Sequence, residues 1–292
     1  MRIEDLLKLI NRILPPETAM EGDRTGLQIQ SGLKEVHNLL VTLELTDEVL
    51  NEALEKGSDC IIAFHPLIYR PLAEINHNER VGRLTTELIK NSISLISVHT
   101  AFDAHHKGTN SILSKKLGLE KEGWLVPDKN SENTGMGIIG SLEERISLEG
   151  FLNMVSEAMH APLKYCTGKS DYIKRVAVVG GSGSSFLDDA LNAGADIFIT
   201  GDISYHTFHA MKGRMALVDP GHYEMEQFNA RGIAQLIYDN IDDDQLDKID
   251  LSTVRTNPVS YFFDEKNYNS LQENYLSNIN LEWCEFYGIS KS

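Results

Sequence analysis

The chain has 292 residues, 41% of them hydrophobic, and carries a net charge of −16 from 27 basic and 43 acidic side chains. That length can bury one large core or two lobes, and its apolar runs, such as 61–64, are far too short to cross a bilayer. A surface of this sign repels phosphate backbones and no basic stripe with interleaved aromatics offsets it, so nucleic acid is not an expected partner, whereas a local cation could still draw a small anionic substrate.

The opening "MRIEDLLKLINRILPPE" sets apolar residues at helical spacing until Pro15 and Pro16 stop them, which predicts an amphipathic helix. It lacks the uncharged stretch and small-residue cleavage site of a signal peptide. Cys60, Cys166 and Cys284 are odd in number and widely separated, fitting reduced thiols better than a disulfide framework or a zinc knuckle. Both features point to the cytoplasm. Further on, "LLVTLELTDEVLNEALEKGSDCIIAFHPL" aligns with "VAVVGGSGSSFLDDALNAGADIFITGDIS" at a fixed offset of 137 positions. Gly57 falls on Gly194, Asp59 on Asp196 and Ile62 on Ile199, and each copy reads strand, loop, helix, Gly turn, strand. Any two such units share some likeness. The expectation drawn is an α/β protein of two related lobes facing one another.

Two further strands follow the scheme: "SLISV" ends on His99, and "MALVD" leads into Pro220, Gly221 and His222. In open α/β sheets ligands collect outside the carboxyl ends of the strands. His65, His99 with Asp103, Asp202 with His206, and His222 with Glu226 all stand there. His222 and Glu226, at i and i+4, open a helix reaching to about residue 239 and can grip one divalent cation or bridge two. Taken alone, that spacing is more often a surface pair. His99 and Asp103 leave a buried-looking strand near His65, while His105 and His106 read as solvated loop residues. Donors of this kind suit Zn, Mn, Fe, Co or Ni. His65 follows four apolar residues, and its ring needs partners for both nitrogens. A metal with a backbone carbonyl would supply them, and so would a hydrogen-bonded core. "VVGGSGSS" lacks the lysine of a phosphate loop, so it reads as a tight turn. His206 and His209 either line a pocket or simply start a helix.

In this order and spacing, "GDRTGLQI", "IIAFHPLIYRPL", "HTAFDAHHKGTN", "GSGSSFLDDALNAGADIFITGDISYH" and "DPGHYEMEQF" resemble the motif series of the Nif-three-like family. That family is often labelled a type-two variant of GTP cyclohydrolase one. The resemblance covers roughly residues 1–262. It implies two α/β lobes with a dinuclear metal centre in the cleft between them, commonly assembled as a homohexameric ring. The first lobe would span 1–125, joined by the segment 226–292, and the second 126–225. His65, Asp103, His222 and Glu226 match the family's metal ligands, with Glu226 bridging both ions. His99 lies beside them as a further ligand or a base.

One position departs from the pattern. The family has histidine at both positions before Pro66, and here the first is Phe64, which cannot coordinate. The second ion keeps only His222 and the shared Glu226. The expectation is one or two divalent ions per chain, one site firm and one weakened, with His99 or water making up the loss. "RTNPVSYFF" resembles the family's closing strand, and the residues after it suggest one peripheral helix.

The resemblance implies metal-dependent hydrolysis of a small substrate by a metal-activated water, with His99 moving protons. The label points to GTP ring opening, although none of these residues reads a guanine. Two other readings stay open: a metal-binding or delivery protein acting through partners without turnover, and a ring protein whose metal only stabilises the fold. A catalytic centre keeps an open coordination position. A delivery site surrenders its metal to an acceptor, and a structural site melts on chelation.

Overall fold

Strands whose every residue is apolar or small must be covered on both faces, and two sets of such strands organise this chain. The computed structural model describes residues 1–129, 131–242 and 245–261. The expected peripheral helix and Cys284 lie outside them. In chain order the elements of the first half are α1 (Ile3–Ile13), β1 (Gly26–Ile29), β2 (Asn38–Thr42), α2 (Asp47–Glu55), β3 (Cys60–Ala63), α3 (Arg80–Lys90), β4 (Ser94–Ser97), α4 (His99–Asp103) and α5 (Thr109–Lys116). The rest are β5 (Glu120–Pro127), β6 (Gly135–Ser147), α6 (Leu148–Met159), β7 (Lys164–Cys166), β8 (Tyr172–Val178), α7 (Leu187–Asn192), β9 (Ile197–Ile199), α8 (Tyr205–Met211), β10 (Ala216–Asp219), α9 (His222–Glu226), α10 (Asn229–Tyr238) and β11 (Lys248–Leu251). Among the described residues no helix is long and apolar enough to cross a membrane.

The first sheet has the order β1-β4-β3-β2-β11 and the second β5-β6-β8-β9-β10-β7. In each, three neighbouring strands run parallel: β2, β3 and β4 in one, β8, β9 and β10 in the other. Alternation along the strands sends side chains to opposite faces. Leu39, Val41, Cys60, Ile62 and Ile96 join one core, into which α1 buries Ile3, Leu6 and Ile10. Leu40, Ile61, Ala63 and Leu95 join another, under α2 and α3. The second sheet divides likewise, with Val176, Val178, Ile197, Ile199 and Val218 on one face and Ala177, Phe198 and Leu217 on the other. Each buried Val, Leu or Ile contributes about 1.5–3 kcal/mol.

The internal repeat extends to single hydrogen bonds. Asp59 Oδ2 accepts the backbone N–H groups of His37 and Asn38, at 2.8 and 2.9 Å, pinning the start of β2. Asp196 Oδ2 does the same for Lys174 and Arg175, at 3.0 and 2.9 Å, on β8. Gly57 and Gly194 end their helices with φ of 63° and 72°, the left-handed backbone that glycine adopts without steric cost.

Two expectations are corrected. The helix after His222 is two short ones, because its ends serve different cores: Met225 and Phe228 pack with the second sheet, Ile233, Leu236 and Ile237 with the first. "RTNPVSYFF" was expected to supply the closing strand, but its described residues carry none. β11, just upstream, pairs parallel with β2 instead.

Candidate metal centre

Parallel strands end together, so whatever follows them is gathered at one edge. His65 lies two residues beyond β3, His99 two beyond β4, Asp202 three beyond β9, and His222 three beyond β10. Local bonds fix each exit. The His65 N–H donates to Leu43 O at 3.0 Å, holding the chain against the end of β2. Buried Asp219 accepts the Gly221 N–H on Oδ1 at 2.9 Å and the Ile203 N–H on Oδ2 at 3.1 Å, with Lys164 Nζ at 2.6 Å. It thereby ties the turn bearing Asp202 to the turn bearing His222.

His65, His222 and Glu226 bring ligand atoms within 4.8 Å of one another. Glu226 Oε2 lies 3.1 Å from His65 Nε2 and 2.9 Å from His222 Nε2, and its carboxylate is almost wholly buried. That oxygen nevertheless has no partner in hydrogen-bonding geometry. A buried carboxylate faced by two imidazole nitrogens, none satisfying the others by a well-formed bond, fits the donor set of a divalent cation. The two remaining imidazole nitrogens are anchored. His65 Nδ1 lies 3.0 Å from Glu44 Oε2, and His222 Nδ1 lies 2.7 Å from Asp202 Oδ2. Such carboxylates fix the tautomer and aim Nε2 inward.

Without a cation the charges must balance among these side chains. Burial opposes protonation of His65, but Glu226 and Glu44 outweigh it and raise its pKa to about 10. His222 rises to about 9, with burial again outweighed, here by Glu226 and Asp202. Burial would raise Glu226, yet the two imidazoles hold it below the usual carboxylate range. Asp103 is pushed upward by burial and by the Glu226 charge.

Asp103 closes α4 and lies outside the tight trio, within reach of the charges of Glu226, His99 and His65. Its Oδ1 is buried with no hydrogen-bond partner. The His99 ring centroid is 5.5 Å from that of His65, and its Nδ1 is 2.6 Å from Asp23 Oδ1. Phe64 is fully buried and edges against His65 and His99 at 4.9 and 5.5 Å, so an apolar ring walls the cluster here.

The glycine loop is a tight turn with a second purpose. The Gly180 and Gly183 N–H groups donate to Asn110 Oδ1 and Thr200 Oγ1 and are unavailable to a phosphate. A Cβ on Gly181, at φ +61°, would stand 2.3 Å from Glu226 Oε1. Only glycine lets the loop approach the carboxylate this closely. Asp202 pairs with His222 rather than with His206, and His206 and His209 are exposed on α8. His105 corrects a further expectation: it is buried, accepts the Lys107 N–H on Nδ1, and is held neutral, its pKa lowered to about 4 by burial and then by His106 and Lys107.

Sequence reading missed Glu44 and the partnership of Asp23 with His99. Glu44 had a signal, since it too lies just past a parallel strand, β2. Asp23 had only its place in "GDRTGLQI".

The fold and the cluster define a class: an α/β protein of two mixed sheets with a His–His–carboxylate group at its strand ends. Residues 1–258 match the Duf34/NIF3 (NGG1p interacting factor 3) family, and the chain belongs to it. A Clostridium perfringens relative, named a GTP cyclohydrolase 1 type 2 homolog, is 31% identical over 248 residues, 84% of this chain and 94% of the relative. A Streptococcus pneumoniae relative of the same name is 35% identical over 230 residues, 76% and 85% of the two chains. Among solved structures, a hypothetical protein of Staphylococcus aureus superposes with a TM-score of 0.82 at 28% identity, covering 90% of this chain and 99% of that one. A Bacillus cereus protein related to NIF3 gives 0.81 at 25%, with the same coverage.

Proposed function

We propose that this chain binds a divalent cation through His65, His222 and Glu226, with Asp103 alongside, and uses it to hydrolyse a small substrate. The observation that carries the reading is the buried Glu226 carboxylate, faced by two imidazole nitrogens and left without a well-formed hydrogen bond. A bound divalent cation supplies Lewis-acid chemistry and brings the pKa of a coordinated water down to about 7. The residues do the rest. Glu44 and Asp202 hold the imidazoles in register, Phe64 excludes water from one side, and His99, anchored through Nδ1 by Asp23, exchanges a proton or coordinates through its other ring nitrogen. The cleft between lobes, the cytoplasmic location and the homohexameric ring belong to the same proposal and rest on the family resemblance. The nucleotide substrate rests on the relatives' name.

Phe64 favours a second reading, a metal-binding or delivery protein, because it removes one donor. Metal per chain in the wild type and in Phe64→His, grown at matched metal supply, tests the premise. One tightly held ion in the wild type and two in the variant is the expected result; two equally tight ions in the wild type would sink the argument from Phe64. Hydrolysis of a nucleotide panel should then vanish on chelation and with Glu226→Gln, and return with added metal only in the wild type. Absence of turnover, together with metal transfer to an apo-acceptor, supports delivery.

A further inference from the structure

Beyond His65 the chain runs on as Leu67, Ile68, Tyr69 and Arg70. Leu67 and Ile68 pack into a core of the first sheet, whereas Tyr69 and Arg70 are exposed. Tyr69 is 56% exposed, and its ring stands perpendicular to that of His99 with the centroids 6.5 Å apart. An open aromatic ring therefore borders the cluster on its solvent side. Gln28, on β1, fixes this segment with both ends of its amide. Its Oε1 accepts the Ile68 N–H at 3.0 Å, and its Nε2 donates to Ile68 O at 3.2 Å and to Arg24 O at 3.1 Å. One side chain thus stitches the backbone at Ile68 to the backbone at Arg24. The turn before Arg24 is itself locked to the start of α4. The Met20 N–H donates to Thr100 Oγ1 at 2.9 Å, while Asp23 accepts the Thr100 N–H at 3.1 Å and holds His99 Nδ1 at 2.6 Å. Two loops, each carrying an exposed arginine, are held together on the His99 side of the cluster.

The other arginines of this edge are engaged. Arg80 Nη2 lies 2.8 Å from Glu44 Oε1, and Arg83 Nη2 lies 2.8 Å from Asp47 Oδ2. Among the described residues the guanidinium groups of Arg24 and Arg70 make no ion pair and no hydrogen bond. On a chain of net charge −16 carboxylates are plentiful, so two such cations left unpaired beside the cluster suit an anion from outside.

We propose that Arg24, Tyr69 and Arg70 form a recognition subsite for the phosphoryl group of a small phosphate monoester. The proposal deepens the hydrolase reading and rests on it for the bond that is cut; the subsite itself needs no cation. A guanidinium is planar, permanently charged and offers paired N–H donors that match two phosphate oxygens. Two of them balance a phosphate dianion, whereas a carboxylate carries one charge. Tyr69 offers a ring against which the planar part of a substrate can lie and a phenolic O–H that can donate to a phosphate oxygen.

Isothermal titration of the full chain, chelated and cation-loaded, with phenyl phosphate, inorganic phosphate and benzoate tests this. Phenyl phosphate should bind the chelated wild type, and more tightly than benzoate does. Arg24→Gln and Arg70→Gln should each weaken that binding about tenfold or more, the loss expected for a hydrogen bond to a charged group. Both variants should take up the cation as the wild type does, which also shows that they are folded. Tyr69→Leu should weaken phenyl phosphate more than inorganic phosphate, and equal effects would remove Tyr69 from the subsite. Unchanged affinity in either arginine variant, or no binding of phenyl phosphate by the wild type in either form, overturns the proposal. Benzoate bound as tightly as phenyl phosphate overturns the assignment to phosphate. Cation uptake, counted on the same protein, decides the metal reading separately.

Discussion

Gly181 shapes the candidate site although it has no functional group. Its φ of +61° costs an alanine about 1–2 kcal/mol in backbone strain, and the added Cβ would meet Glu226 Oε1 at 2.3 Å. Gly57 has nearly the same φ, +63°, but nothing within 4 Å of its missing Cβ. The two alanine variants should therefore separate strain from steric conflict. Gly57→Ala should cost about 1 kcal/mol of stability and leave cation affinity unchanged. Gly181→Ala should cost at least that and also weaken cation binding tenfold or more, about 1.4 kcal/mol. Equal affinities in isothermal titration would show that the loop yields and that its closeness to Glu226 is incidental. At this scale the candidate ligands were legible in the sequence because they follow strand ends. Their anchoring carboxylates were less so: Asp23 and His99 are 76 residues apart and meet only through the turn that Thr100 holds, its N–H donating to Asp23 Oδ2 at 3.1 Å.

Among the elements, the twin βαβ units make the most exacting claim. If Asp59 and Asp196 are equivalent, each accepting two backbone N–H groups, then Asp59→Ala and Asp196→Ala should destabilise alike, by about 2 kcal/mol in denaturant unfolding. Neither should alter cation uptake, since neither touches the cluster. A cost at one site and none at the other would mean that the shared pattern is geometric only. The offset of 137 was readable in the sequence because Gly turns and strand-end aspartates recur at fixed intervals. The break between α9 and α10 was not. Its apolar residues keep helical spacing throughout, and only the presence of two cores dictates that the face must change.

For the whole molecule, pH reports how the metal-free protein carries its charge. His65 and His222 have folded-state pKa values of about 10 and about 9, above the value of about 6.5 expected in an unfolded chain. Their contribution to stability is therefore fully present below pH about 6.5 and is lost as pH rises through about 9 and 10. Asp103, raised to about 7 by burial and by Glu226, adds a slope of the same sign at lower pH, between about 4 and about 7. Thermal melts of the chelated protein should fall over this range, and the metal-loaded protein should fall less, because its imidazoles are already unprotonated. Parallel curves for the two forms would show that these histidines do not hold the metal.

The sequence by itself determined the α/β class, the repeat and the strand-end placement of His65, His99, Asp103, His222 and Glu226, because apolar runs, Gly turns and i, i+4 spacing are local properties of the chain. Only the tertiary structure decided that His65 and His222 meet on one oxygen of Glu226, that Glu44, Asp23 and Asp202 stand behind the imidazoles, and that Gly181 presses on the carboxylate. The His65–Glu226 contact joins segments that follow strands of two different sheets, and those of Glu44, Asp23, Asp202 and Gly181 join segments that flank different strands of one sheet. Their distances depend on how the strand ends converge, which no local spacing records.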